Sequence, residues 1–356
     1  MAIGLRMTDS DTVGMELCVN HDPRFTNWAT SLRLPRELFV VVDVGVKGGE
    51  HTRWHAFGER LMVHGFDALH EAVEELKKRN SAHPNRHYHW IAAGEEDGDR
   101  ELFFNGADPY ASSFYRPPGH GQAREGAVQD EIRRVPVRRL DGLLDAGLFP
   151  QPDVLKVDVE GYEKQVLGGA RKLIRSGLLA LESETNLNAS PEYPRTHLGA
   201  VLEFANEGGL RAFDIAFNRV PTASFQQAVS RLGMPQVSDL RSVGKVTTMN
   251  VVFCRDLVGE KASPGCYERL PPAPSADKIL KTMMILESYG LNDVAIDVAR
   301  CYDDLLAPHI DIEHAVRLLG NPDCRLDDPL TRMEKSISWR ITAPLRAARR
   351  YFLGGP

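Results

Sequence analysis

An apolar strand that ends in an acid and a glycine turn is the feature that most constrains this chain. Residues 38–43 are an almost continuous apolar, β-branched run, which is typical of a strand buried on both faces of a parallel sheet. Asp43 ends the run, and Gly45 and Gly49 follow it. Glycines here permit a tight turn and let a ligand approach the backbone closely. Because residues 51–60 are then predicted to be helical, the order predicts a nucleotide-type site.

The acid at the strand end bears on which ligand this turn binds. A dinucleotide-binding turn has the pattern Gly-x-Gly-x-x-Gly, and its first glycine would stand where Asp43 is. A carboxylate at this position suits a ligand that carries a positive charge, such as the amino-acid end of S-adenosylmethionine, and it suits a pyrophosphate poorly. The alternative is an ordinary glycine turn after a buried strand, without any ligand.

A second acid ends the next predicted strand, residues 61–67. Asp67 stands at the separation at which a mononucleotide-binding half places the acid that accepts hydrogen bonds from ribose hydroxyls. It would equally suit the N-cap of a helix predicted over residues 68–79, and both roles are compatible. A third strand is predicted near residues 87–93. The acidic turn after it, which includes Glu95, would face the adenine side of the ligand.

Charged side chains alternate with apolar ones along another predicted strand, within residues 153–163. By the period of two, Lys156, Asp158 and Glu160 share one face. Because buried charges are costly without partners, they form either an internal ladder of ion pairs or the lining of a site. The functional interpretation is preferred because a charged face on a central strand is unusual.

The strand predicted over residues 178–186 also ends in polar side chains. Asp158, Glu182 and Asn186 would project near one edge of the sheet. Their oxygens are compatible with Mg²⁺ and equally with hydrogen bonds to a sugar. A long polar loop, residues 105–129, would pass over the same edge, and its His120 is a conceivable base.

Length and composition bound the possible classes of protein. The 356 residues suffice for one α/β domain with additions, or for two domains. A formal net charge of −6 argues against a protein that binds nucleic acid through its phosphates. The five cysteines are scattered, without a Cys-x-x-Cys pair, and predict reduced thiols in a cytosolic protein. No secretory signal is expected, and no apolar run reaches the ~18 residues that a membrane-spanning helix needs.

These stretches together resemble the FkbM-type methyltransferases, a family of S-adenosylmethionine-dependent enzymes that mostly methylate hydroxyl groups. The resemblance covers about residues 38–186 and is most specific in Lys156-Val157-Asp158-Val159-Glu160-Gly161-Tyr162-Glu163. It is also carried by Asp43, Gly45, Gly49, Glu50, Phe66, Asp67, Ala92, Glu95, Gly98, Leu140, Asp141, Val166, Leu167, Gly169, Ala170 and Glu182. Lys47 stands where the family usually has Asn, and Phe66-Asp67-Ala68 where it usually has Phe-Glu-Pro.

The resemblance implies roles for these residues and S-adenosylmethionine as the cofactor. Cofactor binding would fall to Asp43, Gly45, Gly49, Glu50, Phe66, Asp67, Ala92 and Glu95. The catalytic group would be Lys156, Asp158, Glu160 and Glu182, in which Asp158 or Glu160 takes or orients the proton of an acceptor hydroxyl. An unperturbed carboxylate is a weak base, so burial and like charge would have to raise its pKa. No metal site is predicted; Asp158, Glu182 and Asn186 are the candidates if a divalent metal takes part.

The rest of the chain predicts additions to the methyltransferase domain. Residues 1–36 form a lead segment, residues 37–260 the domain, residues 261–275 a linker, and residues 276–356 a helical appendage. Within the domain, residues 218–245 resemble an insertion that could shape the acceptor pocket. Residues 336–352 are basic and amphipathic, which suits either an anionic membrane surface or packing on protein. This tail also resembles one found on bacterial enzymes that build surface polysaccharides, including glycosyltransferases.

The sequence as a whole predicts an α/β fold with a doubly wound, mostly parallel sheet of the class I methyltransferase type. The predicted function is O-methylation of a sugar in a bacterial surface polysaccharide or its precursor, with a glycan acceptor and no nucleic acid. The predicted location is cytoplasmic, with peripheral contact to the inner face of the cytoplasmic membrane through the tail. One alternative is a glycosyltransferase of the same pathway. The other is a non-catalytic binding protein that retains the fold, and the unusual Lys47 is the reason to consider it.

Overall fold

The computed structural model describes residues 13–14, 17–46, 48–116, 130–187, 194–220, 245–266 and 273–320. Its strands are β1 (Val13–Gly14), β2 (Phe39–Val44), β3 (Leu61–Asp67), β4 (Arg86–Trp90), β5 (Ala92–Ala93), β6 (Gly98–Phe104), β7 (Glu131–Arg138), β8 (Val154–Val157), β9 (Ala180–Asn186), β10 (Leu210–Val220) and β11 (Lys245–Arg255). Its helices are α1 (Arg24–Ser31), α2 (His70–Arg79), α3 (Leu140–Asp145), α4 (Glu163–Gly168), α5 (Arg171–Arg175), α6 (Leu198–Glu207), α7 (Leu257–Ala262), α8 (Ala276–Ser288), α9 (Asn292–Cys301), α10 (Asp303–Leu306) and α11 (Ile312–Leu319).

The main sheet has the strand order β1-β10-β11-β9-β8-β2-β3-β4. Strands β4, β3, β2, β8 and β9 are parallel, whereas β11, β10 and β1 run antiparallel. The order reverses between β2 and β8, because the chain runs outward through β3 and β4 before it returns. This is the switch point at which an open α/β sheet binds its ligand, outside the carboxyl ends of the strands. The predicted fold class, a doubly wound and mostly parallel sheet, is confirmed.

A second, smaller sheet has the order β5-β7-β6 and covers the end of the main sheet near β3 and β4. The prediction of a single strand over residues 87–93 is wrong. This segment forms two strands, of which β4 pairs with β3 in the main sheet and β5 pairs with β7 in the small sheet. The break falls at Ile91, between the exposed Trp90 and the buried Ala92. Ala92 therefore faces the space between the two sheets.

Helices cover both faces of the main sheet. On one face, Phe39 and Val41 of β2 share a core with Met283 and Met284 of α8. On the other, Val42 and Leu155 pack with residues of α4, α5 and α6. Every residue from 279 to 288 is buried. The helical C-terminal region is thus present as predicted, and its first helix completes the core of the sheet.

Two predicted helices differ from those observed. Residues 52–60 form a 3₁₀ helix (Thr52–Arg60), which is kinked at Gly58. The predicted helix over residues 164–174 is broken into α4 and α5 at Gly169, where a Cβ atom would lie 2.0 Å from the carbonyl oxygen of Gly94. A close backbone contact with the acidic turn therefore interrupts the helical pattern there.

Several predictions concern residues outside the described ranges. They are Lys47, His120, most of the insertion (residues 221–244) and the basic tail (residues 336–352). Among the described helices, none is both long and apolar enough to cross a membrane.

Candidate active site

The turns after β2 and β8 touch each other through a glycine. Gly45 has a φ of +80°, and a Cβ there would lie 1.9 Å from the carbonyl oxygen of Asp158. The Asp158 amide donates to the Val44 carbonyl at 3.0 Å, and the Gly45 amide donates to Phe66 at 2.9 Å. Glycine is therefore required by the approach of two protein segments, rather than by a ligand as the sequence suggested. The contact fixes Asp158 next to the predicted cofactor turn.

The turn after β8 is strained and held from two sides. Glu160 has a φ of +54°, an uncommon conformation for a residue with a side chain. Its carbonyl accepts a hydrogen bond from the Ser113 hydroxyl at 2.9 Å, and the Thr196 hydroxyl donates to Gly161 at 2.9 Å. Because these contacts come from separate parts of the chain, they hold the turn in the conformation that exposes Asp158 and Glu160 at the sheet edge.

Glu163 braces the same turn from within and was not singled out as a site residue from the sequence. Its carboxylate accepts hydrogen bonds from the backbone amides of Val159, at 3.2 Å, and Gly161, at 2.9 Å. The side chain is fully buried. Burial raises the pKa of Glu163 to about 7, against the effect of these hydrogen bonds. Its position two residues after a glycine turn is the sequence signal for this bracing role.

A pocket opens at the switch point, beside Gly45 and under the loop that contains Ser113 and Phe114. The space between its walls is about 640 Å³, a figure that includes solvent at the open side. Apolar side chains from both sheets and the loop form its wall, among them Phe66, Ala92, Leu102, Phe114 and Tyr162. The predicted loop over residues 105–129 thus passes over this edge, as far as residue 116.

The charges of the pocket lining are one-sided. The described lining residues include the acids Asp67, Asp158 and Glu160. The described lining contains no lysine and no arginine. An apolar wall with carboxylates at both ends fits S-adenosylmethionine, whose adenine is flat and whose sulfonium and ammonium groups are positive. The same lining offers no cation for the pyrophosphate of a nucleotide sugar, which such anionic groups normally need.

Asp67, the last residue of β3, lines the pocket. One of its carboxylate oxygens accepts a hydrogen bond from the amide of Leu69 at 2.9 Å. This is the turn by which a short acidic side chain bonds to the backbone two residues onward. The N-cap of α2 is Leu69, so the predicted N-cap role of Asp67 is wrong, whereas its place in the pocket wall is compatible with the predicted role in ribose binding.

A row of charged side chains crosses the sheet below the pocket. Asp43 of β2, Lys156 of β8 and Glu182 of β9 are directly opposite one another in the strand register. The Lys156 Nζ atom lies 3.4 Å from Asp43 Oδ1 and 3.5 Å from Asp158 Oδ2. One ammonium is thus shared among several carboxylates, and the group as a whole is negative.

Burial and charge act in opposite directions within this row. Burial raises the pKa of Asp43 to about 7, although Lys156 opposes the shift. Burial also disfavours the ammonium of Lys156, but the carboxylates of Asp43, Asp158 and Glu182 outweigh it and raise its pKa. Lys156 is therefore charged, and it holds Asp43 and Asp158 at fixed positions.

The sequence left two interpretations of the charged strand, an internal ladder of ion pairs and the lining of a site. Each applies to different residues. Lys156, Asp43 and Glu182 form an internal ladder, in which the Tyr289 hydroxyl donates to Glu182 at 2.5 Å. Asp158 and Glu160 instead line the pocket. Glu184 is a further acid, two residues after Glu182 on β9. It was not part of the predicted catalytic group. Its pKa is raised by burial and by the charges of Asp158, Glu160 and Glu163.

Four predicted cofactor residues are not among the lining residues of the pocket: Asp43, Gly49, Glu50 and Glu95. The carboxylate of Glu50 accepts hydrogen bonds from Arg86 at 2.8 Å and from the Tyr88 hydroxyl at 2.7 Å. Burial opposes the charge of Glu50, but these bonds prevail and lower its pKa. Glu95 is exposed, and Gly49, with a φ of +117°, lies against Arg79. A role for these residues in cofactor binding stays a prediction.

The candidate magnesium ligands are not assembled into a site. Within the described ranges, no group of three or more His, Cys, Asp or Glu side chains is arranged to hold a metal ion. Glu182 is bonded to Tyr289 instead, and Asn186 is buried with its backbone amide donating to Thr196. The sequence could not show that these three residues have different partners, because it does not give the distances between side chains on neighbouring strands.

Comparison with known proteins gives one family match. Residues 43–197 match the family described as "Methyltransferase FkbM domain". This range contains the end of β2, the strands β3 to β9 and every lining residue of the pocket named above. A comparison with curated proteins finds no match.

Solved structures show likenesses at low sequence identity. Methyltransferase FkbM from Methylobacillus flagellatus KT is 15% identical, with a TM-score of 0.35, and the match covers 60% of this chain and 43% of that one. This chain thus spans less than half the length of that relative. A structure described as "StiE O-MT residues 961-1257" is 10% identical, with a TM-score of 0.32, over 78% of this chain and 80% of that one. Fibrillarin from Aeropyrum pernix, with natively bound S-adenosyl-L-methionine, is 13% identical, with a TM-score of 0.31, over 62% and 68%.

Proposed function

We propose that this chain is an S-adenosylmethionine-dependent methyltransferase, which the match of residues 43–197 to the FkbM domain supports, and that its acceptor is a hydroxyl group of a sugar. The observation that carries the proposal is the pair of carboxylates, Asp158 and Glu160, on the turn after β8. Both line the pocket next to Gly45. Hydrogen-bond acceptors at the transfer point suit an acceptor that brings its own proton, as a hydroxyl does.

Residues of the turn after β8 and their neighbours have different roles in the proposed methyl transfer. When bound, S-adenosylmethionine supplies an electrophilic methyl group. Asp158 or Glu160 would orient the acceptor hydroxyl and take its proton, while the bond from the methyl carbon to sulfur would break and leave S-adenosylhomocysteine. Lys156 holds Asp158 at 3.5 Å, and Ser113 holds the backbone of Glu160. Most of the rate enhancement in such a displacement comes from alignment of the reacting atoms.

The acidic surroundings favour an uncharged or cationic acceptor. Glu184 lies on the same face of the sheet and is close enough to Asp158 and Glu160 for their charges to raise its pKa. An anionic sugar would meet repulsion from Asp158 and Glu184, whereas the charge of Glu160 is partly balanced by Arg195, at 3.5 Å. A neutral sugar or an amino sugar of a bacterial surface polysaccharide, or of its lipid-linked precursor, satisfies this constraint. The resemblance of the C-terminal tail to tails of enzymes in such pathways supports that context and a cytoplasmic, membrane-peripheral location.

The test is transfer of a labelled methyl group to a panel of acceptors. Purified protein is incubated with methyl-labelled S-adenosylmethionine and neutral, amino and uronic-acid glycans, and the products are analysed by mass spectrometry. We expect methyl ethers on neutral or amino sugars. Asp158→Asn should lower the rate by about 100-fold or more. Asp145→Asn is the matched control, since this exposed carboxylate pairs with Lys172 outside the pocket.

Three outcomes would contradict the proposal in different ways. Methylation of nitrogen or carbon would overturn the hydroxyl acceptor, and preferential transfer to uronic acids would overturn the charge argument. Binding of S-adenosylhomocysteine without transfer to any glycan would favour the non-catalytic alternative.

A further inference from the structure

A tyrosine from the C-terminal helical region reaches the charged row below the pocket. Tyr289 follows the last residue of α8, is 1% exposed, and donates its hydroxyl to Glu182 Oε2 at 2.5 Å. Glu182 lies directly opposite Lys156 in the strand register. Lys156 in turn contacts Asp43 and Asp158. A row of neighbouring polar groups therefore leads from the end of α8 to Asp158, which lines the pocket; within it, Glu182 and Lys156 interact through their charges across the strands.

The surroundings of Tyr289 fix its hydroxyl in place. The guanidinium of Arg53 lies 4.2 Å from the centre of its ring, and Trp54 meets the ring edge-on at 5.8 Å. These neighbours fix the position of the ring, and its hydroxyl donates to Glu182. Because the bond is short and acts on a carboxylate, it belongs to the stronger class of hydrogen bonds.

We propose that Tyr289 is a positioning residue of the cofactor site, which fixes Glu182 and thereby divides the ammonium of Lys156 between Asp43 and Asp158. The Lys156 Nζ atom lies almost equally far from these two carboxylates, at 3.4 and 3.5 Å. Such a balance needs the third carboxylate to be occupied elsewhere. If Glu182 were released from Tyr289, it would compete for the ammonium directly across the strand. The proposal rests on the methyltransferase assignment, because it concerns the same pocket.

The groups that face this row come from several elements. They are His51 and Arg53 before and within the 3₁₀ helix, Asp43 on β2, Lys156 and Asp158 at β8, Glu182 on β9, and Tyr289 after α8. Within this set, Asp43 is the group with a pKa of about 7. Burial lowers the pKa of His51 to about 4, so it is neutral near pH 7. The pH dependence of ligand binding near neutrality should therefore follow Asp43.

The experiment compares two tyrosines that each lose one hydroxyl. Tyr289→Phe removes the bond to Glu182, whereas Tyr302→Phe removes a buried bond to the Leu257 carbonyl, at 3.0 Å, outside the row. Binding of S-adenosylhomocysteine is measured by isothermal titration across the neutral pH range, and folding is checked by thermal unfolding. We expect Tyr289→Phe to weaken binding about threefold to tenfold at pH 7, and Tyr302→Phe to leave it unchanged.

The pH profile separates positioning from a general loss of stability. Without the hydroxyl, Lys156 turns toward Glu182 and away from Asp43, so the pKa of Asp43 rises further. The pH at which binding is half-maximal should therefore move upward in Tyr289→Phe and stay in place in Tyr302→Phe. Equal profiles for the wild type and Tyr289→Phe would overturn the proposal while leaving the cofactor assignment intact. Failure of the folded wild type to bind would overturn both.

Discussion

The two ends of strand β8 carry two groups of ion pairs that differ in nearly every respect. At the amino end, Asp153 is 0% exposed and lies 3.0 Å from Lys281 and 2.5 Å from Lys278, both on α8. At the carboxyl end, Lys156 lies 3.4 and 3.5 Å from Asp43 and Asp158. The first group is compact, whereas the second is looser and opens on the pocket.

Charge balance is the more instructive difference. At the amino end, two ammonium groups surround Asp153, which also accepts the Val40 amide at 2.9 Å, while Lys281 donates to the Leu38 carbonyl at 2.6 Å. At the carboxyl end, one ammonium serves carboxylates on three strands, and the side chain of Asp158 is 37% exposed. An excess of carboxylate beside a pocket favours a cationic ligand. The satisfied group stabilises the fold, and the unbalanced group is suited to binding.

The first prediction removes a cation from the satisfied group. Lys281→Met leaves the buried Asp153 with a single, partly exposed partner, Lys278. Breaking a buried ion pair from one side typically costs about 3–5 kcal/mol, so the unfolding free energy from urea denaturation should fall by that order. Lys278→Met is the matched control, because its side chain is 25% exposed and Lys281 remains; its loss should be about 1 kcal/mol or less. Equal losses in the two variants would refute the distinction.

The sequence predicted more of the binding group than of the satisfied group. Asp43, Asp67 and Asp158 could be located because strand periodicity and parallel topology bring strand ends to one edge. Lys281, by contrast, appeared only as a charged position in an amphipathic helix. Its partner Asp153 is 128 residues away along the chain, and periodicity contains no information on such a pairing.

The same limit explains why some predicted site residues have protein partners that the sequence did not indicate. Glu50 follows the glycine turn in sequence, but its carboxylate is taken by Arg86 and Tyr88 on the edge strand β4. Tyr289 lies outside the segment that resembles the family, so nothing in the motif indicated its contact with Glu182. Local patterns thus located the backbone of the site, whereas side-chain partners from distant segments decided which residues remain available to a ligand.

The second prediction concerns the pH dependence of stability in the unbalanced group. An aspartate carboxyl ordinarily has a pKa of 3.8, and burial raises the pKa of Asp43 to about 7 in the folded protein. The folded state therefore binds this proton more tightly than the unfolded state does. The resulting stabilisation is complete below about pH 4 and is lost as the pH rises through about 7.

Asp43→Asn isolates this contribution. In the cofactor-free protein, the unfolding free energy of the wild type minus that of the variant should fall between pH 4 and pH 7, by at most about 1.4 kcal/mol per pH unit. Other titrating groups, such as His51, are present in both proteins and cancel in the difference. Urea denaturation at several pH values measures it, and parallel curves for the two proteins would show that Asp43 titrates normally.

The third prediction is the smallest in free energy and the most direct for function. Asp43→Asn removes one of the carboxylates that attract a cationic ligand, while Lys156 keeps Asp158 and Glu182 as partners. We expect the dissociation constant of S-adenosylhomocysteine, whose ammonium is positive, to rise roughly tenfold at pH 8, where the wild-type Asp43 is mostly ionised. Near pH 5 both proteins carry a neutral group at this position, so their affinities should converge. Lys278→Met, at the other end of β8, should bind as the wild type at both pH values; a loss of affinity there would mean that the two ends of the strand act as one structural unit.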